Sequence, residues 1–199
     1  FHRQFLVNPD SRKFIAEANL RAFVPCGGFK DTINAENVRA FAAVFKELRV
    51  IVEGANVFFD DTAREVLAAE TPIRQIRDSS ANKGGVTSSS IAEVLTAFLL
   101  GEEYDKVLVR NAAARSDLIR AVFDLIARNA AAEARMLLAL HARTKTPLYR
   151  LSVQTSEQLL ALQERLYGSL DALLKRREIV EAVLRAYVPG ALVERLGLA

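Results

Sequence analysis

The sequence predicts an α/β fold, a partial parallel sheet followed by an α-helical region. Two observations carry this. Over residues 1–100, short β-rich runs alternate with amphipathic helical stretches, the pattern of a parallel sheet layered with helices. From Gly84 onward the apolar residues recur instead at a spacing of about 3.6 and keep it through residues 101–199. The chain thus divides into an α/β part, 1–100, and a helical part, 101–199.

The elements follow in order. Arg21 to Pro25 (RAFVP) reads as a short buried strand, ended by Pro25 and the turn-forming Gly27 and Gly28. Asn34 to Leu48 sets Val38, Phe41, Ala42, Phe45 and Leu48 on one helical stripe. Arg49 to Glu53 (RVIVE) is rich in β-branched residues and stops at Gly54. A second helix follows, with Asp60 or Asp61 as N-cap and Ala63, Val66 and Leu67 facing inward. Ile73 to Arg77 is a third strand. Three strands are half of a doubly wound sheet, which has about five or six.

In the helical part, Val86 to Leu100 forms an apolar helix stopped at Gly101. Residues 104–143 offer Val107, Leu108, Leu118, Val122, Leu125, Ile126, Leu137 and Leu138 as core contacts, and Pro147 closes that region. Residues 152–174 place Leu159, Leu162, Leu166, Leu170 and Leu173 along one face. Two shorter helices, separated at Pro189 and Gly190, complete a bundle or tail.

Composition narrows the function classes. At 199 residues, 51% of them hydrophobic, the chain can bury roughly 70% of its unfolded surface. A net charge of +3, with basic residues spread throughout, argues against nucleic acid as the main partner. A single cysteine, Cys26, allows no intrachain disulfide and suits a reduced, intracellular protein. No uninterrupted run of about twenty apolar residues occurs, so no membrane span is expected. The chain opens at Phe1 with no signal or transit peptide, which suggests a start inside a longer protein.

Four segments are too polar or too glycine-rich for core: Pro25 to Gly28 (PCGG), Glu53 to Asn56 (EGAN), Asn82 to Ser90 (NKGGVTSSS) and Lys175 to Arg177. The first two end predicted parallel strands, at the edge where open α/β sheets bind ligands. In the third, Gly84 and Gly85 open the backbone where a helix begins, and its N–H groups suit an anionic or carbonyl partner. Val86 and Ser89, three residues apart, share a helix face. A capped helix start behind a flexible loop accounts equally well for this stretch, and no P-loop step occurs.

The ordered set VPCGG, DTIN, IVEGAN and SANKGGVTSSS resembles the coenzyme-binding domain of the glutamate dehydrogenase family, in particular its large NAD-specific enzymes. The similarity covers about residues 20–95. It implies the C-terminal half of a Rossmann-like NAD-binding domain in residues 1–100. It also implies oxidative deamination of L-glutamate to 2-oxoglutarate and ammonia, and a homo-oligomeric full-length protein. By this resemblance Gly54, Ala55, Asn56 and Asn82 bind the cofactor, Asn56 and Asn82 at its nicotinamide end. Val86 and Ser89 match positions that contact the glutamate side chain, with Ser89 bonding its γ-carboxylate, and Cys26 packs behind the cofactor.

Departures are equally informative. No G-x-G-x-x-G occurs, the ribose-binding acidic residue is absent with it, and nothing matches the family's catalytic lysine and aspartate. We therefore assign no catalytic residue to this chain and expect it to be an incomplete, inactive fragment. The choice of NAD over NADP, and of cytoplasm or mitochondrial matrix, rests on resemblance alone.

His2 and His141 have no partners at metal-ligand spacing, so no metal is expected. Lys175, Arg176 and Arg177 lie among Asp171, Glu178 and Glu181 and suit a helix C-terminus better than a phosphate site. Alternatives stay open: an amino-acid dehydrogenase with an apolar substrate, against which the serines at 88–90 argue; a non-catalytic helical assembly or regulatory module; and a nucleic-acid-binding helical module.

Overall fold

The computed structural model describes residues 2–195. In chain order the elements are α1 (His2–Val7), α2 (Arg12–Glu17), β1 (Ala22–Phe23), α3 (Val38–Val44), β2 (Val50–Val52), α4 (Asp61–Glu70), β3 (Arg74–Ile76) and α5 (Asp78–Ala81). There follow α6 (Gly84–Ser88), α7 (Thr96–Leu100), α8 (Ala112–Thr144), α9 (Leu148–Tyr167), α10 (Leu170–Leu174), α11 (Arg177–Tyr187) and α12 (Gly190–Arg195). Wide π turns run through Ser89–Leu95 and Asp105–Val109. The chain forms two compact units, one from Phe1–Asn82 with Ala134–Glu157, the other from Lys83–Glu133 with Gln158–Ala199.

These units cut across the change of period near residue 100, for a packing reason. Leu137, Leu140, Leu148 and Leu151 cluster with Ile76 at the end of β3, which joins the end of α8 and the start of α9 to the sheet unit. Ile91, Leu95, Leu99 and Leu100 cluster instead with Leu108, Leu118 and Val122, which takes residues 83–100 into the helical unit.

In the sheet unit three parallel strands lie in the order β1-β2-β3, with Phe23 opposite Ile51 and Ile51 opposite Gln75. The strands are shorter than predicted, and β1, expected to be buried, has Ala22 exposed and Phe23 half-buried. Pro25 lacks an N–H for the ladder, which helps to end β1 early. The core against the sheet is aromatic: Phe41 stacks tilted on Phe45 at 4.7 Å, Phe58 on Phe59 at 5.3 Å, and Phe23 touches Phe41, Phe45 and Phe58. Each fully buried phenylalanine contributes roughly 1.5–3 kcal/mol. Asp60 caps α4, accepting from Ala63 N at 2.6 Å, and its second oxygen accepts from Ala35 N at 3.2 Å.

A charge lies inside this unit. Arg64 is 1% exposed and Glu53 is fully buried. Arg64 Nε and Nη2 donate to the two carboxylate oxygens of Glu53 at 2.9 and 2.6 Å, and Nη1 donates to Asp61 at 2.8 Å. Gln75 Nε2 adds a third bond to Glu53 at 2.9 Å. Burial pushes the Glu53 carboxyl above its ordinary range, against the hydrogen bonds and charge of Arg64, which pull it down.

In the helical unit, Ile91, Leu108, Ala114, Leu118, Val122, Val188 and Leu192 form the core. Thr96 Oγ1, buried, donates to Ile91 O at 2.6 Å within the first π turn. Gly101, at φ +51°, ends α7.

Further expectations differ from what is seen. Of the leucines predicted to share a buried face, Leu159, Leu162, Leu166 and Leu170 are each at least 42% exposed, as is Leu138 at 43%, and the helix breaks at Gly168. Arg176 and Arg177 stand at the start of α11, where the helix dipole disfavours cations; they are held there by Glu178 at 3.0 Å and Glu181 at 2.6 Å. The helical stretch Asp78–Glu103 is long and apolar enough, by length and composition alone, to cross a membrane, where no span was expected.

Two predictions follow from the ion pairs. Arg64→Met should cost about 3–5 kcal/mol in urea denaturation, because Glu53 stays buried without its cation, whereas Glu53→Met with Arg64→Met should cost far less than the two single losses summed. Additive losses would contradict the pairing. On the surface, Arg39 donates to Glu70 at 3.0 and 2.6 Å, and these hydrogen bonds with the guanidinium charge hold the Glu70 carboxyl below its ordinary value. This bridge therefore stabilises the fold above the ordinary glutamate pKa and is lost as pH falls through the lowered one. An NMR titration should show Glu70 moving up to the ordinary range in Arg39→Gln.

Candidate functional site

The loops after β1 and β2 are knitted together at the C-terminal edge of the sheet. Ala55 N donates to Pro25 O at 2.7 Å. A Cβ on Gly54 would lie 3.1 Å from Pro25 O and 3.3 Å from Cys26 Sγ, so the close approach of the two loops leaves little room for a side chain there. Cys26 itself is exposed, its thiol 3.5 Å from Val24 O.

From Gly54 the chain runs through Asn56 to Val57, which takes a left-handed φ of +46°. Asp78 holds it there: Val57 N donates to Asp78 Oδ2 at 2.8 Å. The same residue also anchors Asn82, whose N–H donates to Asp78 O at 3.0 Å. Between the two anchored segments, Asn82 Nδ2 donates a hydrogen bond to Asn56 Oδ1. The structure thus brings together Gly54, Ala55, Asn56 and Asn82 in one place.

Val86 and Ser89 belong to the helical unit. Val86 is 75% exposed on α6, and a side chain added at Gly85 beside it would meet nothing within 4 Å. Ser90 Oγ turns back to Val86 O at 2.8 Å, while Ser89 is exposed and its hydroxyl lies 3.4 Å from Glu93 Oε1. Ser89 also opens the first π turn, a distortion that often marks functional positions. At the start of α6, Lys83 Nζ is gripped by both oxygens of Glu133 at 2.8 and 2.7 Å.

A family model for Glutamate/Leucine/Phenylalanine/Valine dehydrogenase matches residues 6–141. The chain belongs to this family. It is 34% identical over its whole length to glutamate dehydrogenase 2 of Dictyostelium discoideum, covering 19% of that protein. It is 36% identical, over 88% of its length, to the probable NAD-specific glutamate dehydrogenase of Schizosaccharomyces pombe, covering 16% of it. With the NAD-specific glutamate dehydrogenase of Saccharomyces cerevisiae it shares 30% identity over 99% of its length and 18% of the relative. The chain therefore spans less than a fifth of the length of these relatives. No solved structure matches it.

The dehydrogenase motifs EGAN and SANKGG meet directly at Asn56 and Asn82 and are braced by Asp78, which lies outside both. Asp78 receives its charge balance from Arg77, at 3.3 Å, and from Arg64, 3.9 Å away in the buried pair. Arg77 also reaches Asp61 at 2.9 Å, closing a ring of charges under the loop. Sequence reasoning missed Arg64, Asp78 and Glu93. The signal for Arg64 was available: it stands three residues before Leu67 on the inward stripe of α4, next to Ala63, where an apolar residue is expected. Glu53, at the end of the otherwise apolar strand RVIVE, is its natural counterpart.

Asp78→Ala should release the loop. With a charge-assisted bond of about 1.5–3 kcal/mol removed, the Val57 amide is expected to exchange with deuterium at least about tenfold faster. Unchanged protection of Val57 would show that the loop holds itself.

Proposed function

We propose that this chain is part of an NAD-dependent glutamate dehydrogenase, which converts L-glutamate to 2-oxoglutarate and ammonia or the reverse. The observation that carries the reading is the Asn56–Asn82 hydrogen bond at the C-terminal edge of a parallel sheet. It unites two motifs in a chain 30–36% identical to proteins named glutamate dehydrogenases.

The residues present fit the nicotinamide end of the cofactor. With Asn82 Nδ2 given to Asn56 Oδ1, the pair still offers the Nδ2 donors of Asn56 and the Oδ1 acceptor of Asn82, the complement of a primary amide. Bound NAD supplies the hydride acceptor. Gly54 and Ala55 would help to hold the cofactor through their backbone, and the buried charges hold the loop so that the two carboxamides are oriented before binding.

Val86 packs the methylenes of glutamate, and Ser89 donates to its γ-carboxylate beside the helix start. The nearby Glu93 carboxylate competes for that hydroxyl, so substrate binding turns Ser89 away from Glu93. No residue here performs proton transfer, and the 199 residues alone are inactive in this reading. The exposed leucine row of α9 and α10 suits a homo-oligomeric full-length protein, as a face covered by another subunit.

The test is glutamate-dependent formation of NADH by the full-length protein, with the 199 residues assayed beside it. Activity in the first and none in the second is expected. A folded full-length protein that reduces NAD with leucine, phenylalanine or valine, and not with glutamate, would replace the substrate; no reduction with any of them would sink the reading. Ser89→Ala should raise KM for glutamate about tenfold or more with kcat little changed, and Ser89→Thr should recover most of it.

A further inference from the structure

Val86, Ser89 and Glu93 stand at i, i+3 and i+7 and share one face of the helical unit. Ser90 commits its hydroxyl to the backbone, 2.8 Å from Val86 O and 3.2 Å from Thr87 O. Ser89 does not. It is exposed, and its one hydrogen bond among the described residues goes to Glu93 Oε1 at 3.4 Å, longer than an ordinary hydroxyl bond. Glu93 is exposed as well and makes no ion pair among the described residues. The cation nearest along the chain, Lys83, is bonded to both oxygens of Glu133.

A donor and an acceptor therefore lie side by side, with no cation between them. A γ-carboxylate brought to this face offers two acceptor oxygens and a negative charge. It takes the single hydroxyl proton of Ser89 away from Glu93, and two like charges then stand together. A carboxamide of the same size is neutral and offers one acceptor and two donor hydrogens. Its oxygen accepts from Ser89 while its nitrogen donates to Glu93, and Val86 meets the same methylenes in either case.

We propose that Glu93 is a specificity-determining residue, which with Ser89 receives the carboxamide of L-glutamine in competition with the γ-carboxylate of glutamate. This rests on the dehydrogenase reading, which puts a substrate side chain against Val86 and Ser89.

The test follows 2-oxoglutarate formed from glutamate by the full-length protein, with L-glutamine added. L-Norvaline, the same chain without the carboxamide, serves as control. Glutamine should inhibit competitively, and norvaline about tenfold more weakly or worse. Glu93→Ala, at an exposed helical position, removes charge and acceptor together. KM for glutamate should then fall about fivefold while the inhibition constant of glutamine rises by a similar factor. A helix merely loosened by the substitution would move both constants in the same direction. Glu93→Gln, neutral but still an acceptor through its amide oxygen, should lower KM alike and weaken glutamine less.

Three results would overturn the assignment: no competition by glutamine up to about 10 mM, norvaline inhibiting as well as glutamine, or Glu93→Ala moving both constants the same way. If Ser89→Ala leaves KM for glutamate unchanged, the placement of the substrate fails and the role of Glu93 falls with it. If Ser89→Ala raises KM and any of the three results appears, the role of Glu93 fails alone.

Discussion

Arg64 carries a full charge into the interior of the sheet unit, and the C-terminal edge of the sheet is organised around neutralising it. An unpaired guanidinium there would cost several kcal/mol, so Glu53 must sit opposite it with both oxygens engaged. That requirement ties the end of β2 to the first turns of α4. Gln75 then satisfies Glu53 from β3, which brings the third strand into the same cluster. One buried charge thus fixes the relation of two strands and a helix at the point where the EGAN loop departs.

The consequence for the site runs through Asp78. Its carboxylate lies near Arg64 and Arg77, and its outward oxygen accepts the Val57 amide. The positive φ of Val57 is unfavourable for a β-branched residue and persists because this bond and the one from Asp31 N to Val57 O define the loop from both sides. Asn56 precedes Val57, and Asn82 ends the short helix that Asp78 begins. The geometry of the two carboxamides is therefore set by charges that they do not touch. A purely apolar cluster would pack as well but would specify the direction of the loop less sharply, since dispersion contacts are not directional.

Much of this was legible in the sequence. The three strands, the stripe Val38, Phe41, Phe45, Leu48 and the cap at Asp60 lie where period and turn chemistry place them, because each is decided by residues within a few positions of one another. The motifs that carry the family are local in the same sense. The buried pair was not legible from periodicity, which treats a charged residue as outward. The compact units were not legible either. Leu137 and Leu148 join the sheet unit through contact with Ile76, more than fifty positions away, and no local pattern announces it. The row Leu159, Leu162, Leu166 has the period of a buried face but lies open, since period records which side of a helix is apolar and not whether something covers it.

The two groups of residues singled out in the sequence differ in how they are held, each within its own unit. Asn56 and Asn82 rest on a buried network whose members are mostly bonded to one another. Val86 and Ser89 sit on a single helical turn with open space beside it, steadied by the Lys83 grip on Glu133 and by the approach of Gly84 to Ile126. Lys83 is thereby committed: an ammonium bonded to both oxygens of a carboxylate serves as a clamp between α6 and α8 and is poorly placed to act as a proton-transferring amine. In the proposed reading, then, precision on the cofactor side comes from buried charge, and on the substrate side from one half-buried ion pair at the helix start. That division is physically sensible, since a carboxamide must be aimed before the cofactor arrives, whereas a serine hydroxyl can rotate from Glu93 to a ligand carboxylate at little cost.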